Sequence, residues 1–71
     1  MSTKNPTRLR RELLEQAEHI LREHHFVRME RIRCMIDCGE IKPSEVVFPS
    51  PPSAEEIIIE ARKLYHFIKE N

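Results

Sequence analysis

The first part of the chain carries an apolar stripe with the period of an α-helix. Between Asn5 and about Glu23, apolar side chains recur every three or four residues, at Leu9, Leu13, Leu14, Ala17, Ile20 and Leu21. Arginine and glutamate fill the positions between them, which is typical of a helix with one face on a core. Asn5 suits the N-cap, with Thr7 as an alternative, and Pro6 suits the first helical position, where its missing N–H costs nothing. We therefore predict a helix that begins at Pro6.

The stripe changes register at His24 and His25. Continuing the first stripe from Leu21 reaches these two histidines, whereas a second stripe runs through Phe26, Met29, Ile32 and Met35 or Ile36. Either one helix kinks near residues 24–26 or two helices meet there. Gly39, the sole glycine, is placed to end the segment in the left-handed conformation. Residues 6–38 therefore form one kinked helix or two helices.

Residues 40–52 predict an extended connection, which we call the crossover. It contains four prolines, at Pro43, Pro49, Pro51 and Pro52. Each proline removes a backbone donor and favours an extended conformation for the residue before it. We expect Val46 and Phe48, or Val47, to be tucked against the helices. A connection of this length is long for a small domain, and long loops often carry function.

A capping box opens the last segment. In Ser53-Ala54-Glu55-Glu56 the serine hydroxyl and the Glu56 carboxylate can each accept the other residue's backbone N–H. An inward stripe follows at Ile57, Ala61, Leu64 and Ile68, widened by Ile58, Tyr65 and Phe67. We predict a helix over residues 54–70 that packs back antiparallel. The fold class is then all-α: a small helical bundle of two to three helices with an extended Pro-rich crossover, in one domain over 1–71 whose residues 1–5 are disordered.

Length and composition exclude several classes of protein. A chain of 71 residues buries only about 60% of its unfolded surface, so its core is marginal and oligomerisation is a natural way to bury more. The longest apolar runs, such as Ile57 to Ile59, have three residues, far fewer than the roughly 20 of a membrane span. The N-terminus lacks the apolar segment of a secretory signal. A single glycine excludes phosphate loops that need two or three.

Cysteines and histidines are the candidate chemistry. Two cysteines are too few for a disulfide framework, which favours a reducing compartment, and we expect a cytoplasmic protein. Cys34 and Cys38 lie four residues apart and can be joined on paper with His24, His25 and His66 into a zinc site, but the histidines are scattered. We expect buried or half-buried free thiols, no metal and no cofactor. No histidine has a partner at a spacing that forces a catalytic dyad, so we expect no enzyme.

The charge is uneven although it sums to zero. Residues 1–33 carry eight positive and five negative side chains, a net +3, and residues 34–71 carry four and seven, a net −3. Arg28, Arg31 and Arg33 are concentrated in one stretch, and arginine binds both carboxylate and phosphate. Such a polarised chain can steer a protein partner or pair with a second copy. It can also bind nucleic acid through residues 22–33.

These features favour a small non-enzymatic protein-binding module, an accessory regulator or inhibitor of a larger protein machine. The small size and plain composition also suit a phage-encoded protein. We expect the contacts with the partner to use Arg28, Arg31 and Arg33 as charged anchors and Phe48 and Tyr65 as aromatic ones. The alternative is a nucleic-acid-binding regulator that acts through the Arg-rich stretch as a dimer. A homo-oligomer is compatible with either, and a membrane protein is not.

Overall fold

The protein is a helical hairpin. A computed structural model describes residues 6–69, with two α-helices, α1 (Pro6–Asp37) and α2 (Ala54–Lys69), and one 3₁₀ turn, Pro43–Glu45, in the crossover. No strand occurs in this range, so the all-α prediction is confirmed, and its α-helices number two. Neither helix is both long and apolar enough to cross a bilayer. The expected disorder of residues 1–5 and the last residue of the predicted 54–70 helix lie outside the described residues.

α1 continues through His24 and His25 without interruption, so residues 6–38 do not form two helices. The apolar register changes because different segments cover the two halves of α1. In the first half, Leu13 and Ala17 are buried against α2. In the second half, beside the returning crossover, the half-buried side chains are His25, Met29, Ile32, Met35 and Ile36. At 3.6 residues per turn, the covered face moves by roughly 100° around the helix between these sets.

Phe26 does not belong to the second stripe, and that expectation is wrong. Its side chain is 63% exposed. On a continuous helix it lies about 90° from the centre of the face formed by Met29, Ile32 and Ile36. The spacing of Phe26 to Met29 is helical, but the crossover reaches only one side of α1.

Both predicted helix signals at the ends of the crossover are confirmed. Gly39 has a φ of 82°, and α1 ends in a Schellman motif in which Glu40 N–H donates to the Met35 carbonyl at 2.9 Å and Gly39 N–H donates to the Ile36 carbonyl at 3.0 Å. Glycine adopts a positive φ without steric cost. At the start of α2, Glu56 N–H donates to the Ser53 hydroxyl at 3.1 Å. Ser53 N–H donates to Glu56 Oε1 at 2.8 Å, which completes the capping box.

The crossover runs back along α1 and is fixed at one point by a hydrogen bond. His25 Nε2 lies 3.1 Å from the Pro49 carbonyl oxygen, and because a carbonyl can only accept, this nitrogen carries the proton. Of the three residues expected to be tucked in, Val46 is half-buried, whereas Val47 is 92% exposed and Phe48 is also exposed. An extended backbone turns alternate side chains to opposite sides, which accounts for the exposure of Val47 beside Val46. The expected burial of Phe48 is wrong, because its side chain is 48% exposed although the alternation places it on the side of Val46.

α2 packs antiparallel on the first half of α1 and makes a very small core. Its start lies near His24 and Arg28, and its later turns lie near Leu9 and Leu14. Only three described residues are buried, Leu13, Ala17 and Ala61, with Leu9, Ile57 and Leu64 packed against them. The molecule measures 58 × 21 × 16 Å with a radius of gyration of 17.1 Å. A compact chain of this length has a radius of about 11 Å.

The elongated hairpin leaves many apolar side chains in solvent. Ten large ones among the described residues are exposed: Leu14, Phe26, Val27, Val47, Phe48, Ile58, Ile59, Tyr65, Phe67 and Ile68. Single exposed apolar residues are normal, but contiguous ones mark interaction sites. A candidate interaction site is therefore a place where several of these ten side chains are contiguous.

Candidate functional site

Three of the exposed apolar side chains lie together in a groove between α1 and α2. The groove has a volume of about 600 Å³ and a floor that includes Leu13 and Ala61 of the core. Its walls include Leu9, Arg10 and Leu14 from α1 and Ile58, Arg62 and Tyr65 from α2. We call this surface the interhelix groove. The groove is open to solvent because α1 and α2 contact each other along only one face, and the crossover lies at the other end of α1.

The charged side chains that line the interhelix groove are both arginines. Arg10 stands on the α1 wall and Arg62 on the α2 wall, and no acidic residue lines the groove. Neither guanidinium has an ion-pair partner within residues 6–69, whereas Arg8 and Arg22 pair with glutamates on their own helix. Lys69 adds a third positive charge, with Nζ 5.8 Å from the centre of the Tyr65 ring. The groove is thus apolar at its floor and positive at its rims.

A second groove, of about 410 Å³, lies where the crossover enters α2. We call it the histidine groove, because His24 and His25 line it together with Arg28 and Glu56. Two of these four side chains already have structural partners within the fold. His25 holds the crossover carbonyl, and Glu56 closes the capping box. The remaining pair, His24 and Arg28, lies near Ser50, which also lines the groove. No hydrogen bond joins the Ser50 hydroxyl to either histidine within residues 6–69, so the described residues form no serine–histidine pair.

The three arginines expected as anchors do not form one patch. Arg28 and Arg31 are about 60° apart around α1, but Arg33 is about 160° from Arg31 on a helix of 3.6 residues per turn. Arg33 Nη1 also donates to Glu30 Oε2 at 2.8 Å. Arg28 and Arg31 are exposed and have no ion-pair partner among the described residues. The structure therefore brings two of the three arginines to neighbouring positions.

The two expected aromatic anchors lie on different parts of the molecule. Tyr65 lines the interhelix groove beside Arg10, whereas Phe48 lies in the crossover. Arg31 follows Arg10 by 21 positions along α1, which places the two about 30 Å apart at 1.5 Å per residue. Arg31 and Tyr65 therefore belong to opposite ends of the hairpin. A partner that contacts both would have to cover most of its length.

The cysteines differ from expectation. Cys34 and Cys38 are free but exposed, rather than buried or half-buried. Cys34 lies on a side of α1 that the crossover leaves uncovered, and α2 packs only on the other half of the helix. No group of three or more histidine, cysteine, aspartate or glutamate side chains among residues 6–69 is arranged to hold a metal ion.

The sequence pattern predicted the apolar side chains of both walls of the interhelix groove but not the arginine on each wall. The widening of the α2 stripe by Ile58 and Tyr65 was a usable signal. Arg10 and Arg62 gave none, because charged residues between apolar positions on an amphipathic helix normally face solvent alone. Their position on the two rims depends on how far each helix is rotated when they pack, which the spacing within one helix does not fix.

Comparisons with protein-family models, curated proteins and solved structures give no match for this chain. What can be inferred about its function therefore comes from its own residues. Among these, the interhelix groove combines contiguous apolar side chains with unpaired charges.

Proposed function

We propose that this chain is a small non-enzymatic protein-binding module that acts by occupying the surface of another protein. A role as an accessory regulator or inhibitor of a larger assembly fits a module that exposes an apolar groove with positively charged rims. Two exposed thiols, Cys34 and Cys38, suit a reducing compartment such as the cytoplasm.

The observation that carries the proposal is the interhelix groove. Leu14, Ile58 and Tyr65 are exposed beside one another and next to the core, where burial by a partner would remove apolar surface from water. Aromatic and arginine side chains that surround a small apolar centre are typical of the residues that contribute most to protein binding. Tyr65, Arg10 and Arg62 supply that combination.

The test uses two neighbouring isoleucines of α2 as a matched pair. Ile58 lines the groove and is 44% exposed, and Ile59 is 49% exposed but does not line the groove. The full chain, Ile58→Glu and Ile59→Glu are immobilised, and proteins captured from cells that express the chain are quantified by mass spectrometry. We expect a protein that the wild type and Ile59→Glu retain and Ile58→Glu loses at least tenfold. If no captured protein distinguishes the two variants, this proposal is wrong.

Nucleic-acid binding through residues 22–33 has less support. Arg28 and Arg31 are available for phosphate contacts, but Arg33 pairs with Glu30 and points to a different side of α1. A short oligonucleotide titrated at several salt concentrations tests this alternative directly. A steep fall of log affinity with log salt, lost on Arg28→Ala and Arg31→Ala, would favour it over protein binding.

A further inference from the structure

The interhelix groove has the dimensions and the charge for one kind of protein segment. Its α1 wall runs from Pro6 to Leu14 and its α2 wall from Ile58 to Tyr65. At 1.5 Å per residue these walls are about 12 and 10 Å long, or two turns of a helix. A groove of this length accepts an apolar stripe with anchors at i, i+3 or i+4, and i+7, which is the pattern by which amphipathic helices bind in grooves.

The charges on the rims determine what must flank that stripe. Arg10 and Arg62 stand on opposite walls, and neither is neutralised within the described residues. A ligand that fills the floor also draws both guanidinium groups out of water, and this is costly unless carboxylates pair with them. Lys69, over the Tyr65 ring, adds a positive charge near the same wall. The matching ligand therefore carries acidic residues on both sides of its apolar stripe.

We propose that the interhelix groove binds an acidic amphipathic helix of another protein, with apolar anchors over Leu13 and Ala61 and carboxylates paired with Arg10 and Arg62. This inference rests on the proposed function and names the chemistry of the partner. A second copy that presents the same groove is a poorer occupant, because Arg10 and Arg62 of one copy would meet those of the other.

The test compares two designed 18-residue helical peptides on the full chain. Both carry leucine anchors at i, i+4 and i+7, and the flanking positions hold glutamate in the acidic peptide and lysine in the basic peptide. Fluorescence anisotropy of the labelled peptides measures each affinity. We expect the wild-type chain to bind the acidic peptide at least 50-fold more tightly than the basic peptide.

The decisive variant is the double charge reversal Arg10→Glu with Arg62→Glu, which should invert the preference between the peptides. Its matched control is Arg11→Glu with Lys63→Glu, which reverses two charges on the same two helices. Arg11 and Lys63 are exposed and do not line the groove. The control should keep the preference for the acidic peptide within about threefold. Equal helicity by circular dichroism establishes that all variants are folded.

The other outcomes separate this inference from the proposed function. If both double variants keep the same preference for the acidic peptide, or if the wild-type chain binds both peptides equally, the inference of an acidic helical ligand is wrong. The interhelix groove remains a protein-binding surface in that case if Ile58→Glu still loses the captured protein. Absence of binding at 500 μM peptide overturns it in the same way. Light scattering between 5 and 500 μM measures the mass of the chain in solution. A mass that increases with concentration in the wild type but not in Ile58→Glu would show that a second copy occupies the groove, and it would overturn the inference.

Discussion

Leu13 and Leu14 are adjacent on α1 and provide a matched test of the small core. Leu13 is 9% exposed and packs against Ala17 and Ala61, whereas Leu14 is 39% exposed on the wall of the interhelix groove. Leu13→Ala removes buried carbons worth about 2 kcal/mol in transfer free energy. The cavity that remains raises the total to about 3 kcal/mol. Leu14→Ala leaves no closed cavity and removes partly hydrated carbons, so we expect about 1 kcal/mol.

Thermal unfolding followed by circular dichroism at 222 nm measures both losses. For a domain of this size, 1 kcal/mol shifts the Tm by roughly 4–8 °C. We therefore expect Leu13→Ala to lower the Tm by about 18 °C and Leu14→Ala to lower it by about 6 °C. Domains this small rarely have more than about 3–5 kcal/mol of stability in total. Leu13→Ala should thus leave a large unfolded fraction at 25 °C.

Equal losses for the two variants would refute the reasoning, because they would mean that Leu14 is as deeply buried in solution as Leu13. Repeating the melts at 5 and 500 μM protein identifies the cause. A Leu14→Ala effect that grows with concentration would indicate that a second copy covers the groove. An effect independent of concentration would indicate that the two helices are rotated relative to the packing described above.

Three further perturbations address the cap, the crossover and the thiols. Gly39→Ala should lower the free energy of unfolding, measured by chemical denaturation, by about 1–2 kcal/mol, because alanine is strained at a positive φ. An added Cβ meets no atom within 4 Å, so the cost comes from the backbone alone, and Gly39→Asn should cost less. His25→Ala should cost about 1 kcal/mol and speed proteolysis of the crossover, whereas its neighbour His24, which makes no such bond, should tolerate alanine. Cys34 and Cys38 should both react with a thiol reagent in the folded chain, and reaction of fewer than two thiols without denaturant would contradict their exposure.

The elements with local causes could be predicted from the sequence. Gly39 ends α1 because a left-handed residue there closes the Schellman hydrogen bonds, and Ser53 begins α2 because its hydroxyl and Glu56 cap each other. Each depends on residues within five positions. Three members of the predicted inward stripe of α2, Ile57, Ala61 and Leu64, also needed only the helical period. The fourth, Ile68, is 56% exposed, so its predicted burial is wrong.

The elements with non-local causes could not be predicted. The change of register at His24 is compatible with a break, and also with a continuous helix whose cover changes. The second explanation requires knowing that the crossover returns along α1 and that Pro49 meets His25. For the same reason Phe26 was placed on the covered face, and Cys34 was expected to be at least half-buried. The two walls of the interhelix groove likewise became neighbours only when the helices packed.

The size of the core and the openness of the groove are connected. α1 has 32 residues and α2 has 16, so α2 can cover only half of α1, and three buried residues are all that this pairing produces in the described chain. A ligand that binds the folded chain alone, present at 100 times its Kd, adds about 2.7 kcal/mol to the stability. That gain is comparable with the whole expected stability of a domain this small. An occupant of the interhelix groove would therefore complete the core from outside, and a substitution such as Leu14→Ala should weaken binding and folding of the bound state together.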